Sequence, residues 1–289
     1  MGERCASDGA DPGLVGPNSV TWQLHADPAM WLGGITSLFL QSLHPLAAAG
    51  VVQNSNFRED PIGRLMRTAR FVAMSTYAPL EEVQAGAVKV RAVHRSLRGR
   101  DPETGRTFRI DRPDLLLWVH CSEVAMFLSV VRRAGFRLTK AQADRYFDEQ
   151  RRPAALVGLD PDEVPGSTEQ MAAYFHDMRG ELRRGDDSEV VYEFLHKPPL
   201  RGVLGAGLPV YEGAVAHLAY SLLPRWAIQL HGHRAYSPAT STAMLRAVRS
   251  AALLVPAPIR WRAPTGYVPR AMRRLGPAVR PSAKLLPTT

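Results

Sequence analysis

Apolar residues recur at three- and four-residue steps along most of this chain, from about residue 28 to about residue 275, the spacing of helices with one buried face. The most apolar run, residues 28–52, reads as a central helix buried on all sides and broken or kinked near Pro45. Gln41, His44 and Pro45 fall where a membrane span is driest, so the run reads as core and not as an anchor. Asp60-Pro61 supplies a cap and a first-turn proline for a helix to about Tyr77. A helix from about Pro79 to Arg98 follows, with Val83, Ala87, Val90, His94 and Leu97 on one stripe, which turns His94 inward.

Residues 99–112 combine turn residues with the alternating Arg106-Thr107-Phe108-Arg109-Ile110 and predict a small hairpin. Pro113 opens a helix through Arg133, with Leu116, His120, Val124, Phe127 and Val131 on one face. Thr139 and Gln142 form a capping box for a helix to about Val157. Further helical segments cover roughly 168–184, 187–196, 209–222, 224–235, 240–254 and 267–275. The pattern predicts an all-α fold: one globular domain over residues 21–276 with one β-hairpin, between a disordered N-terminal tail (1–20) and a C-terminal tail (277–289).

A chain of 289 residues buries about three quarters of its unfolded surface, enough to enclose a ligand cavity without disulfides or a structural metal. Only Cys5 and Cys121 occur, with no CxxC, which points to a reducing cytoplasm; the acidic residues of the first 20 exclude a secretory signal. The net charge of +9 comes almost entirely from scattered arginines, so a nucleic-acid partner is not expected. The densest basic cluster, Arg260, Arg262, Arg270, Arg273, Arg274 and Arg280, lies in the C-terminal segment and suggests at most weak peripheral contact with anionic lipid, against the plainer reading of a solvated surface.

A histidine among valines costs about 1 to 3 kcal/mol unless something bonds it. His94 is therefore either a core histidine on a backbone carbonyl or a metal ligand, and Arg64, Arg67 and Thr68, which share one helical face, either lie in solvent or form a polar cluster. His44 and His120 also lie in apolar surroundings, so three histidines on three helices are available to one cavity, whereas His25, His231 and His233 sit near turns or segment ends. No HExxH, GxSxG, GxGxxG or P-loop is present, and the single ExxH, Glu193 to His196, falls short of a di-iron set.

Three phrases change the picture: Leu40-Gln41-Ser42-Leu43-His44-Pro45, Phe57 to Thr68, and Leu116-Leu117-Trp118-Val119-His120. In order and spacing, over roughly residues 20–235, they resemble the bacterial MpaB-type oxygenase family, whose relatives include the rubber-cleaving latex clearing proteins. The resemblance implies an all-helical fold around a non-covalent haem b that activates dioxygen. It implies that His94, in Arg91-Ala92-Val93-His94, is the proximal iron ligand, with Arg91 behind it. Arg64, Arg67 and Thr68 fall on the family's distal Arg-x-x-Lys-Thr phrase, with arginine in place of lysine. Arginine in effect cannot lose its proton to ligate iron, so a lysine-ligated closed state is not expected. No carboxylate upstream of Arg64 matches the catalytic glutamate of the rubber-cleaving enzymes, which leaves His44 as the nearest base, with Glu59 and Asp60 read as caps; rubber cleavage is not carried over.

The expectation is a haem b-dependent oxygenase or peroxygenase that takes a small lipophilic substrate with dioxygen or peroxide. His94, Arg91, His120 and Trp118 would surround the cofactor, and His44, Arg64, Arg67 and Thr68 would do the chemistry. Two alternatives remain: a non-catalytic haem or lipophilic-ligand binding protein of the same fold, and a non-haem metal site on His44, His94 and His120.

Overall fold

The computed structural model describes residues 10–54, 60–199, 208–262 and 265–287. It is all-helical apart from a two-stranded antiparallel hairpin, β1 (Arg98–Arg100) and β2 (Thr107–Arg109), where Gly99 opposes Phe108. The expected helices are present with small shifts: α1 (Val20–Leu24), α2 (Met30–Gln41), α3 (Pro45–Asn54), α4 (Pro61–Tyr77), α5 (Leu80–Ser96), α6 (Pro113–Arg133), α7 (Lys140–Val157), α8 (Thr168–Asp177) and α9 (Asp186–His196). Later helices cover Leu208–Tyr211, His217–Ser221, Arg225–His231, Pro238–Leu254 and Tyr267–Leu275, and a π-helical turn at Glu212–Ala216 interrupts the segment expected as continuous.

The apolar run at 28–52 is two helices bent by 107° at the break before Pro45. His44 makes the corner: its Nδ1 accepts from the Ala47 N–H at 3.4 Å, as an N-cap side chain would. α2 crosses α6 so closely that a Cβ on Gly33 would come within 3.2 Å of Phe127 Cα. Around this crossing Phe39, Leu40, Leu43, Trp118, Cys121 and Tyr146 build the main core. α3 is only half buried and α2 exposes Trp31 at its start, so the expectation of a run buried on all sides holds only for most of α2. α6 is long and apolar enough to cross a bilayer, as is the bent α2–α3 pair, and 72% of the α6 window is buried within the protein.

Both supposed tails are packed where they are described. The Asp11 carboxylate accepts from the Gly13 and Leu80 amides, and Val15 is buried. Trp22 Nε1 donates to the Val279 carbonyl at 2.9 Å, the Ser282 amide donates to Gln23 Oε1, and Gln142 Nε2 donates to the Pro287 carbonyl. Side-chain acceptors and donors of the helices thus hold both ends, an accounting that hydrophobic periodicity does not register. The C-terminal basic segment is engaged as well: Arg270 pairs with Glu82, and Arg274 donates to the Asp11 and Tyr77 carbonyls.

Candidate functional site

α4 starts as its sequence dictates, with the Asp60 carboxylate accepting from the Gly63 amide and proline in the first turn. Glu59, the other expected cap, lies outside the described residues. Of the three residues on the presumed distal face, only Arg64 turns inward; it is partly buried, and burial together with the neighbouring Arg67 charge lowers its pKa. Among the described residues no carboxylate pairs with it. Arg67 is exposed and bonds Asp60 at 3.0 Å, and Thr68 is exposed beside the Arg64 carbonyl. The expected Arg64–Arg67–Thr68 cluster is therefore not gathered at one buried place. Asp60 draws Arg67 back along the helix, since a carboxylate at the cap is a better partner for a guanidinium than an apolar interior.

α5 packs on α4 at Gly86, where a Cβ would run into Met74, and on α7, with Val83 and Leu156 in one apolar cluster. His94 sits in its last turn, partly buried, with Nδ1 enclosed and without a hydrogen-bond partner. Burial lowers its pKa, against a smaller opposing pull from the Asp111 charge. Arg91, expected behind the ligand, instead donates from Nη1 to the Leu156 carbonyl at 2.6 Å and so closes the end of α7.

α6 separates the remaining candidates. Trp118 Nε1 donates to the Gln41 carbonyl at 3.0 Å, with its ring 6.1 Å from that of His44. His44 Nε2 lies 3.9 Å from Glu181 Oε2, and burial lowers the pKa of this imidazole despite that carboxylate. His120 lies two positions beyond Trp118, about 200° around the helix, on another face. It is buried, its Nε2 has no partner, and burial pushes its pKa down to about 4 even though hydrogen bonding with the Gln150 backbone favours its charged form. Among the described residues no three His, Cys, Asp or Glu side chains converge as a metal-ligand group, so His44, His94 and His120 do not form the three-histidine site left open by the sequence.

One turn beyond His120 stands a residue that the sequence reading passed over. Glu123 is partly buried, and burial raises its carboxyl to about 7. Its field reaches the fully buried Tyr146 of α7, whose hydroxyl meets His25 Nε2 at 3.1 Å, and His25 Nδ1 meets Thr76 Oγ1 at 2.8 Å. The visible signal was a glutamate inside the most apolar stretch of α6. His25, read as a turn histidine, is held inside by these two bonds, and burial lowers its pKa to about 3.

The protein thus carries, on separate helices, unsatisfied imidazole nitrogens on α5 and α6, a partly buried guanidinium on α4 and a high-pKa carboxyl on α6. Perturbed titratable groups of this kind concentrate at functional sites. A family profile described as ER-bound oxygenase mpaB/B'/Rubber oxygenase, catalytic domain, matches residues 22–256, from α1 to the end of the helix at Pro238–Leu254. Neither the curated proteins nor the solved structures give a match. The match takes in α4, α5, α6 and α7, and the chain belongs to the ER-bound oxygenase mpaB/B'/rubber oxygenase catalytic-domain family, a family of oxygenases.

Proposed function

We propose that the protein binds a non-covalent haem b and oxygenates a small lipophilic molecule with dioxygen or peroxide. The observation that carries this reading is His94, whose enclosed Nδ1 has no partner although a buried ring nitrogen ordinarily finds one. The residues fit the group: an imidazole short of a partner suits an iron ligand, and a buried guanidinium without a described counterion suits an anionic propionate or an oxygen atom. His94 would hold the iron and Arg64 would donate hydrogen bonds, while Phe71 and Phe127 would supply apolar walls. When bound, the haem supplies the activation of dioxygen or peroxide.

The chain's own part is to exclude water, orient the substrate and present donors. Arg67, paired with Asp60, and exposed Thr68 contribute little to this, so the distal role falls to Arg64. That outward placement also favours a second reading, a haem or lipophilic-ligand binding protein without turnover.

Purification after growth with added iron, followed by hemin titration, tests the proposal. Wild type is expected to show a Soret band, His94→Ala to lose it, and His44→Ala and His120→Ala to keep it. Retention by His94→Ala with loss only in His120→Ala would move the ligand to α6, and a wild type that takes up no hemin would overturn the haem. Oxygen consumption by the loaded protein separates an enzyme from a binder.

A further inference from the structure

An uncompensated group of charges lies at the C-terminal end of α6. Arg132 and Arg133 stand in its last turn, Arg137 follows the bend at Gly135 (φ +106°), and Arg246 comes from the helix at Pro238–Leu254. Cations in a last turn ordinarily serve the helix dipole and its free carbonyls. Here the backbone has already closed that end: the Ala134, Phe136 and Gly135 amides donate to the Val130, Val131 and Arg132 carbonyls at 2.9 to 3.1 Å. Arg133 is spent on structure, donating to Thr242 Oγ1 at 2.8 Å, Ser241 Oγ at 2.6 Å and the Pro238 carbonyl at 2.9 Å.

The other three arginines are exposed and little used. Arg246 makes one long bond, from Nε to the Arg133 carbonyl at 3.4 Å, and the side chains of Arg132 and Arg137 have no hydrogen bond or ion pair among the described residues. All three line one depression of about 600 Å³, and no acidic residue lines it. Like charges gathered without a carboxylate repel one another, and a bound anion relieves that repulsion.

Arg132 also lines a second cavity, a groove of about 670 Å³ among α2, α6, α7 and α8. Its walls are mostly apolar, with Leu40, Met126, Phe147, Met171, Phe175 and Trp226 among them, and again none is acidic. The volume is that of a small-molecule site, and methionines adapt readily to a flexible chain. Neither His94 nor Arg64 lines either cavity, so the two stand apart from the residues proposed to hold haem.

We propose that the two cavities form one binding site for a long-chain fatty acid, with its carboxylate on Arg132, Arg137 and Arg246 and its hydrocarbon chain in the groove. A small inorganic anion would leave the groove empty, and a neutral lipophile would leave the arginines uncompensated. Arg132, common to both cavities, places head and chain end to end, and the guanidinium fork matches a carboxylate. The site binds without chemistry and stands independently of the oxygenase reading.

Calorimetric titration of the hemin-free protein with dodecanoate, below its micelle-forming concentration, tests the site; dodecanol and acetate present the chain and the head alone. Dodecanoate is expected to bind, and dodecanol and acetate to bind at least roughly tenfold more weakly. Arg132→Gln removes a charged donor, and Ala172→Trp, at an exposed groove position on α8, fills the space for the chain; each should lower dodecanoate affinity roughly tenfold. Arg132→Gln should melt no lower than wild type, since it relieves repulsion. Arg106→Gln removes the same charge from the exposed hairpin turn before α6 and should bind as wild type does. Equal weakening by Arg106→Gln would mean general attraction to a chain of net charge +9 and overturn the site. Equal affinity for dodecanol overturns the arginine head site, undiminished affinity in Ala172→Trp overturns the groove, and a wild type that takes up no dodecanoate overturns the proposal outright.

Discussion

The protein treats two of its inward glutamates, Glu149 on α7 and Glu123 on α6, oppositely. Glu149 on α7 accepts the Val20 and Thr21 amides, the Thr21 hydroxyl and Arg145 Nε, at 2.9 to 3.1 Å. It is a structural anion that fastens α1 to α7. Glu123 on α6 has no hydrogen-bond or ion-pair partner among the described residues, and burial raises its carboxyl to about 7. Burial alone does not decide the role of a carboxylate; the count of donors around it does.

The largest expected effect lies on the Glu149 side. Glu149→Leu strands two buried amides and a hydroxyl and should cost about 3 to 5 kcal/mol in denaturant unfolding. Glu123→Leu, in the same experiment, should not destabilise and at neutral pH should stabilise, because it removes a group with no partner to lose and with it the cost of keeping that group protonated in the folded state. Equal losses at the two positions would break the comparison.

The pH dependence separates them next. The folded pKa of Glu123 is about 7, above its value of about 4.5 in the unfolded chain, so the folded state holds the extra proton between those limits. Its contribution is complete below about pH 4.5 and is lost as pH rises through 7. Measured as wild type minus Glu123→Gln, stability should therefore fall by about 3 kcal/mol across that window and stay level above it. His120, with its pKa lowered to about 4, acts in the opposite sense, adding stability as pH rises from about 4 to 6.5. The difference between the two proteins removes that background.

These two roles mark where sequence reading stops. Helix existence and most boundaries were legible, because Asp60-Pro61, Pro113 and the Thr139–Gln142 box leave local signatures and the apolar stripes are long. The inward turn of His94 followed from the same periodicity. What was not legible depends on the far partner. Arg91 shares a face with His94 but closes α7, Arg67 is drawn off by Asp60, and the ends of the chain are held by Gln23 and Gln142. Glu123 lay in plain view inside the apolar stretch of α6, yet its burial without a partner is a tertiary fact that periodicity does not register. Period fixes which way a side chain points, and only tertiary contact fixes what it meets.

A smaller effect tests the bond between Thr76 and His25. Thr76→Val removes the hydroxyl that meets His25 Nδ1 at 2.8 Å and should cost about 1 to 2 kcal/mol in denaturant unfolding, since a buried polar atom is left unpaired. A variant as stable as wild type would mean that this bond contributes nothing to holding His25 inside.

The smallest effect is expected on α4, where the same count of partners distinguishes two arginines one turn apart. Arg67 meets solvent and the exposed Asp60, so Arg67→Ala should leave the melting temperature and the hemin affinity of the protein unchanged. Arg67→Lys, which restores the family's residue, should likewise leave the visible spectrum as it is, because the ammonium would remain beside Asp60 instead of reaching the interior. Arg64 is the control: partly buried with no described counterion, it should weaken hemin binding when replaced by alanine, with folding retained or improved because a desolvated charge is gone. A new six-coordinate spectrum in Arg67→Lys would show that this face of α4 closes over the iron when the cofactor is present, and would bring Arg67 and Thr68 back into the site beside Arg64.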